Sequence, residues 1–316
     1  MRSLLAILVA VVCYGIEYHL VKKTTGDVPK VMVGCLTFGI TAAALAVLHG
    51  VRFYKPAEGV DLERRSPARC IGYMVAIGGV AVFINGLLIW GTSLTTAESA
   101  AALGRTDVLF TMVLSALVFR EHIRPVAWLF AAPMVVGVFL VMKLEPADLR
   151  IKSAGDLLIL GNALLFSVNA FIIKRALRIM TGPEVAMYNC AINAVVFAVA
   201  ITLWPAGAGH AGGWAMFAGV SRTTWTMLLA LGGLNTVFLV CYYFSLGKLP
   251  VWEVRLLLLG IPVVSAIIGW VVLGQVVDLW VLGGIVLILA SGAGIILTRR
   301  REAPVTDNET EVDHAR

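Results

Sequence analysis

The sequence predicts an all-α integral membrane protein, with ten transmembrane helices in two inverted five-helix repeats, and three observations predict it. The chain has a mean hydropathy of +0.91. With 59% hydrophobic and 14% charged residues, it is far more apolar than a soluble domain. About ten runs of roughly 19 or more mainly apolar residues follow one another, each long enough at about 1.5 Å per residue to cross a hydrocarbon core of about 30 Å. Finally, the second half of the chain echoes the first.

The expected spans are Ser3 to Val21, Val28 to Leu48, Cys70 to Gly91, Thr95 to Phe119, Pro125 to Met142, Gly155 to Lys174, Pro183 to Trp204, Thr224 to Leu246, Pro250 to Val277 and Leu279 to Thr298. Most connections are short. The longer ones are Gly50 to Arg69 and the Gly/Ala-rich Pro205 to Thr223, whose amphipathic GGWAMFAGV patch suits the membrane interface. The polar stretch Arg301 to Arg316 is expected to be a disordered cytoplasmic tail. The first span continues through Glu17 and His19 to Lys22 without a small-residue cleavage site, so it reads as a span and not as a signal peptide.

The repeat is legible residue by residue. IGGVAVFINGLLIWGTSLTTAESAAALGRTDVLF in the first half is echoed by LGGLNTVFLVCYYFSLGKLPVWEVRLLLLGIPVV in the second, which matches Gly78 and Gly79 to Gly232 and Gly233 and, across a one-residue gap, Glu98 to Glu253. YGIEYHLVKK is answered by FSVNAFIIKR, so Glu17 corresponds to Asn169. The first five-helix repeat is residues 1–145 and the second 150–300. Because five is odd, the two halves insert in opposite senses, the plan that lets a central site open to either side of a membrane.

Charge sets the orientation. With a cytoplasmic N-terminus, the inner connections collect Arg52, Lys55, Arg64, Arg65, Arg69, Arg120, Arg124, Lys174, Arg175, Arg178, Lys248 and Arg299 to Arg301. The outer ones hold Lys22, Lys23, Lys30, Lys143, Arg150, Lys152 and Arg222. Both termini are therefore expected inside a plasma (inner) membrane. The net charge of +6 is dealt out in these short clusters and not along one surface, which argues against a nucleic-acid partner. Cys13, Cys35, Cys70, Cys190 and Cys241 are odd in number and widely spaced, so they build no disulfide framework and no metal motif. No HExxH, nucleophile elbow or GxxxxGKS loop occurs, which speaks against a membrane-embedded enzyme and an ATP-driven pump. No cofactor is expected.

Several short features carry a family resemblance: the Tyr14-Gly15 step in the first span, the Gly155-Asp156 opening of the second repeat, Pro262 in the ninth span, and the VFRE and VLGQ endings of the fourth and ninth spans. On these the chain, from about Leu4 to Arg300, resembles the drug/metabolite transporter superfamily, in particular its EamA-type ten-helix carriers. The resemblance implies a secondary carrier, commonly an exporter of amino acids or related metabolites, with a cavity between the first, third, fourth, sixth, eighth and ninth helices. Three residues depart from the family pattern: Asp107 stands about where a proline is usual, Glu17 where a small polar residue is usual, and Gln275 replaces an acidic residue.

Charges inside the spans are the functional signal, because an ionised side chain at mid-membrane costs roughly 2.5–3.5 kcal/mol on insertion scales and is normally kept only where it faces a protein interior or a watery path. Glu17 lies about 20 Å from the inner end of its helix and Arg105 about 10–15 Å from the outer end of the fourth, so the two levels nearly coincide. They are expected to face each other or to share a substrate, against the alternative of a buried pair that ties two helices. Arg105 is assigned to the lumen and Asp107 to a neighbouring helix or the cavity edge. Glu98 and Glu253 read either as helix-start caps or as paired gates at opposite mouths. Arg255 reads as an inner anion contact or a snorkelling side chain, and His19 beside Glu17 as a candidate proton carrier.

The uncharged candidates are Asn85, Asn169 and Asn235, with Asn162, Asn189 and Asn193 beside them; amides also serve as interhelical glue. Tyr14, Tyr18 and Trp90, with Tyr242, Tyr243 and Trp252, either shape a pocket or anchor helix ends. A cavity with both carboxylates and guanidinium groups suits a substrate bearing both signs. The expected function is export of a zwitterionic amino-acid-derived metabolite, an amino acid or opine-type metallophore, with Arg105 and Arg255 meeting carboxylates and Glu17 an amine. The alternative is a proton-coupled efflux carrier for hydrophobic cations, against which Arg105 speaks. The expected partners are a small-molecule substrate and the lipid bilayer, with homodimerisation left open.

Overall fold

The architecture comes from a computed structural model that describes residues 2–50, 66–95, 97–118, 123, 125–144, 151, 153–203, 212–274 and 278–300. Among them are twelve α-helices and no strand: α1 Arg2–Asp27, α2 Lys30–Gly50, α3 Pro67–Leu94, α4 Ala97–Gly104, α5 Asp107–Leu117, α6 Pro125–Val141, α7 Ala154–Ala176, α8 Gly182–Thr202, α9 Arg222–Lys248, α10 Val251–Leu258, α11 Ile261–Leu273 and α12 Leu279–Arg300. Eight segments are long and apolar enough to cross a membrane, while Asp107–Leu117 and Pro125–Val141 are shorter apolar helices. Helix starts follow their local chemistry. Ser153 with Asp156 and Thr181 with Glu184 form reciprocal capping boxes at α7 and α8, satisfying amides that have no partner inside a helix.

Two expected spans are interrupted. The stretch expected as one helix from Thr95 breaks between Gly104 and Asp107, and the one from Pro250 breaks between Leu258 and Ile261. At the first break the Thr106 hydroxyl takes the Leu103 carbonyl at 2.6 Å, and the Thr106 and Val108 amides reach back three residues instead of four. At the second, Pro262 has no N–H to offer the preceding turn, and Leu259 and Gly260 likewise bond three residues back. The second break lies in an unbroken apolar run from Leu256 to Val264, whereas the first coincides with the small and polar stretch Gly104 to Asp107.

The long helices pair between the two halves: α1 lies along α9, α3 along α7, α2 along α8 and α6 along α12, while α5 packs on α7 and α10. Small residues set the closest approaches. A Cβ at Gly284 would sit 2.6 Å from the Gly137 carbonyl oxygen, and one at Gly155 would sit 2.7 Å from that of Gly91. Both are backbone-to-backbone contacts that only glycine allows. Gly284→Ala should therefore part α6 from α12 and cost about 1–3 kcal/mol, seen as a lower melting midpoint in detergent; an unchanged midpoint would show that the pair adjusts freely.

Polar ties fasten helix ends. On one face Thr224 donates to Asp27 at 3.2 Å, Thr95 donates to Asp156, and Lys143 pairs with Asp278 at 2.7 Å. On the other, Ser245 donates to the Ser3 carbonyl at 2.9 Å and Lys174 to the Leu249 carbonyl at 2.9 Å. The bond from Lys143 holds the exposed Asp278 carboxyl below its ordinary 3.8. The folded value being depressed, that tie is present above the ordinary carboxylate range and lost only as pH falls through it. In the GGWAMFAGV patch, Gly213–Phe217 forms a 3₁₀ turn whose Trp214 stacks on Phe217 and donates to Thr202. Gln275 and the tail at 301–316 lie outside the described residues.

Candidate functional site

The interior polar groups gather where the two interrupted spans meet α1, α7 and α9. Asp107 opens α5 just after its break, with 7% of its surface exposed, and Arg255 closes α10 just before the other break at 3%. One guanidinium nitrogen of Arg255 lies 3.4 Å from Asp107 Oδ2. Another donates to the Phe166 carbonyl of α7 at 3.0 Å, while the guanidinium stacks 4.0 Å from the Phe166 ring centroid and 5.9 Å from that of Tyr242. The Nε proton is buried without an acceptor. Arg255 thus joins the second half of the chain to the first. It does not snorkel, and the aromatic faces around a planar cation supply part of its stabilisation.

Arg105, on the break itself, is half-buried, and among the described residues its guanidinium has no hydrogen bond or ion pair. Its charge, like that of Arg255, acts on the Asp107 carboxylate. Arg105 and Asp107 form no ion pair with each other, yet the charge of one acts on the other. Ser167 of α7 donates to the Asp107 carbonyl at 2.7 Å, which fixes the start of α5 against α7.

Glu17 is buried on α1 with 8% exposure, and its Oε2 has no hydrogen-bond partner. No ion pair joins it to Arg105 among the described residues. The charges of Glu17, Arg105, Arg255 and Asp107 all act on the Tyr14 hydroxyl. Tyr14 packs on Phe238 at 4.8 Å between centroids, and Phe238 stacks on Tyr242 at 5.6 Å. An aromatic row thus runs from the turn that carries Glu17 to the Arg255 guanidinium. Asn169, one turn beyond Phe166, is buried with its Oδ1 unpartnered, and so is the Trp252 indole N–H. Burying a polar atom without a partner is costly. Four such atoms, on Glu17, Asn169, Trp252 and Arg255, come from elements packed on one another.

The other expected site residues fall elsewhere. Asn85 donates to Asn193 at 2.7 Å, Asn193 to Asn189 at 3.1 Å and Asn189 to the Tyr243 hydroxyl at 3.1 Å, a ladder that stitches α3 to α8 and α9. Asn235 donates to Thr41 at 3.0 Å, and Asn162 to the Ile84 carbonyl at 2.7 Å. Breaking the ladder with Asn193→Ala should cost about 0.6–1.7 kcal/mol, the span measured for interhelical hydrogen bonds, and leave cargo preference unaltered; a changed preference would move Asn85 into the binding surface. His19 donates from Nε2 to the Ser265 carbonyl at 2.8 Å, with the Ser265 hydroxyl 3.0 Å away, and so links α1 to α11. Tyr18 is half exposed and Trp90 largely exposed, while Glu253 is buried in the first turn of α10. The Glu98 side chain lies outside the described residues, although its backbone belongs to α4.

This geometry can be set against known proteins. A sequence profile of the EamA-like transporter family matches residues 1–143 and again 153–297. The chain belongs to the EamA-like transporter family. It is 22% identical to an uncharacterized transporter of Clostridium kluyveri over 69% of this chain and 70% of that protein. A crystallised protein 20% identical in sequence superposes with a TM-score of 0.72, over 95% of this chain and 99% of that one, so the fold is shared. The protein is a multi-pass membrane transporter, and the family points to transport rather than catalysis. Within the EamA fold, the residue pair missed in the sequence is Asp107 with Arg255. A partial signal existed, since each interrupted span carries charges of both signs, but the two residues are not equivalent in the repeat and nothing local in the sequence pairs them.

Proposed function

We propose that this EamA-like transporter is a secondary carrier that exports a zwitterionic, amino-acid-derived metabolite by alternating access. One observation carries the reading. Glu17 and Arg255, buried groups of opposite sign, stand at the two ends of an aromatic row, Glu17 with an unpartnered carboxylate oxygen and Arg255 with an unpartnered guanidinium N–H, while the charge of the half-buried Arg105 acts on Tyr14 in that row. A cargo with an ammonium and a carboxylate matches both ends, and the aromatic faces between them accept its carbon skeleton. Ten spans in two inverted repeats, with both termini in the cytoplasm, fit the eight long and two shorter apolar segments. They also fit the cross-packing, in which α1 on α9 and α3 on α7 exchange places when the halves are swapped. The direction of transport rests on the family resemblance. Comparison of metabolites inside and outside cells with and without the chain tests the proposal. Arg105→Ala should abolish the accumulated difference for a carboxylate-bearing amine, and a profile indifferent to Arg105 would refute it.

A second reading keeps one observation of its own. Glu17 beside Tyr14 and Phe238 is a site for a hydrophobic cation, in which the carboxylate exchanges a proton for cargo. Competition separates the readings: amino acids displace the cargo in the first, and lipophilic cations in the second. In either, Glu17 and His19 are the groups placed to couple transport to protons, so an imposed pH gradient across liposomes should accelerate flux.

A further inference from the structure

We infer that Asp107 is a built-in stand-in for the cargo's carboxylate, holding Arg255 until an incoming carboxylate takes its place. The inference rests on the reading above for the identity of the cargo, but its geometry stands on its own. A buried arginine and carboxylate made for permanence meet through two short parallel bonds, about 2.7–2.9 Å each. Here a single contact of 3.4 Å joins them, and the Nε proton of the same guanidinium is buried with no acceptor. The Nε–H is therefore a donor that no acceptor among the described residues answers.

Both sides of the pair have somewhere to go. Arg255 is held independently by the Phe166 carbonyl at 3.0 Å and by the Phe166 ring, so it keeps its position when Asp107 withdraws. Asp107 lies in the field of Arg105, whose guanidinium has no hydrogen bond or ion pair among the described residues. Release of Arg255 also removes the polar tie between α5 and α10, the segments beside the two breaks, which stay packed through Val108, Met112 and Leu256. Occupancy by cargo is thereby linked to the contact between the two halves of the carrier, and the cargo must bring an anion of carboxylate shape to break it.

Formate, the smallest carboxylate, tests the exchange without knowledge of the cargo. The full-length chain is purified in detergent as wild type, Asp107→Asn, Asp107→Ser and the double variant Asp107→Asn/Arg255→Met, and each is melted in sodium formate and in sodium chloride of equal strength. The expected result is a saturable formate-specific rise of about 2–4 °C in both single variants. The wild type, where Asp107 already fills the place, and the double variant, which lacks the fork, should stay flat. A single variant that does not survive in chloride is purified in formate throughout, where recovery counts as rescue. Absence of any formate effect, an equal effect in the double variant, or failure in both media would make the pair a fixed tie and overturn the inference. Formate rescue in a protein that moves no zwitterion would instead refute the proposed function and leave the exchange site standing.

Discussion

Replacing Arg255 with alanine is expected to destabilise the protein by about 3 kcal/mol, at the lower end of the range for removing one partner of a buried ion pair. The cost arises less from the lost 3.4 Å contact than from what it leaves behind. Asp107 becomes a buried carboxylate with the charge of Arg105 left to offset its own, and the ring of Phe166 loses the cation stacked on it. Lysine should recover little, because its ammonium can neither lie flat on Phe166 nor reach the carbonyl and the carboxylate together. Transport should fall in parallel by about 10- to 150-fold, the equivalent of the roughly 1.5–3 kcal/mol that a charge-assisted hydrogen bond supplies. Pairing Arg255→Met with Asp107→Asn separates the two effects: the double variant should melt close to the wild type and still fail to transport. Thermal melting and flux on the same preparations decide it, and a wild-type melting curve for Arg255→Ala would show that the pair holds nothing.

Glu17→Gln should act in the opposite sense on stability. The carboxylate is buried with an oxygen that has no partner, so removing its charge relieves a desolvation cost and leaves the shape almost unchanged. The melting midpoint is expected to hold or rise, while transport falls by about 10- to 150-fold if the carboxylate meets the cargo's ammonium. A group that merely tied helices would behave in reverse, with lost folding and retained transport. The contrast between Arg255 and Glu17 is instructive: one charge is partly answered by the protein, the other is left for something else to answer.

Much of this was legible in the chain itself. Runs of apolar residues announce membrane helices because the bilayer leaves backbone groups no other partner than their own helix, and an interior charge announces a site because its cost must be offset. Hence Glu17, Arg105, Asp107 and Arg255 stand out before any coordinates. Their pairing does not. Depth along a helix can be counted from its end, but the rotation of one helix against another is set by side-chain packing between segments far apart in sequence. Glu17 and Arg105, placed at one level by counting, are joined by no ion pair among the described residues, whereas Arg255 reaches across 148 positions to Asp107. Asn85 shows the same limit, since an amide that could greet a ligand is taken up by Asn193.

By itself, the sequence determined the membrane class, the family and the set of buried charges, since these depend on composition and local spacing. Only the tertiary structure decided where the fourth and ninth spans break, which aromatic faces join the acidic end to the basic end, and that Arg255 is shared between Asp107 and the Phe166 carbonyl. Those are matters of contact between distant segments. A guanidinium takes the partners that packing brings within reach, and no count along the chain records that.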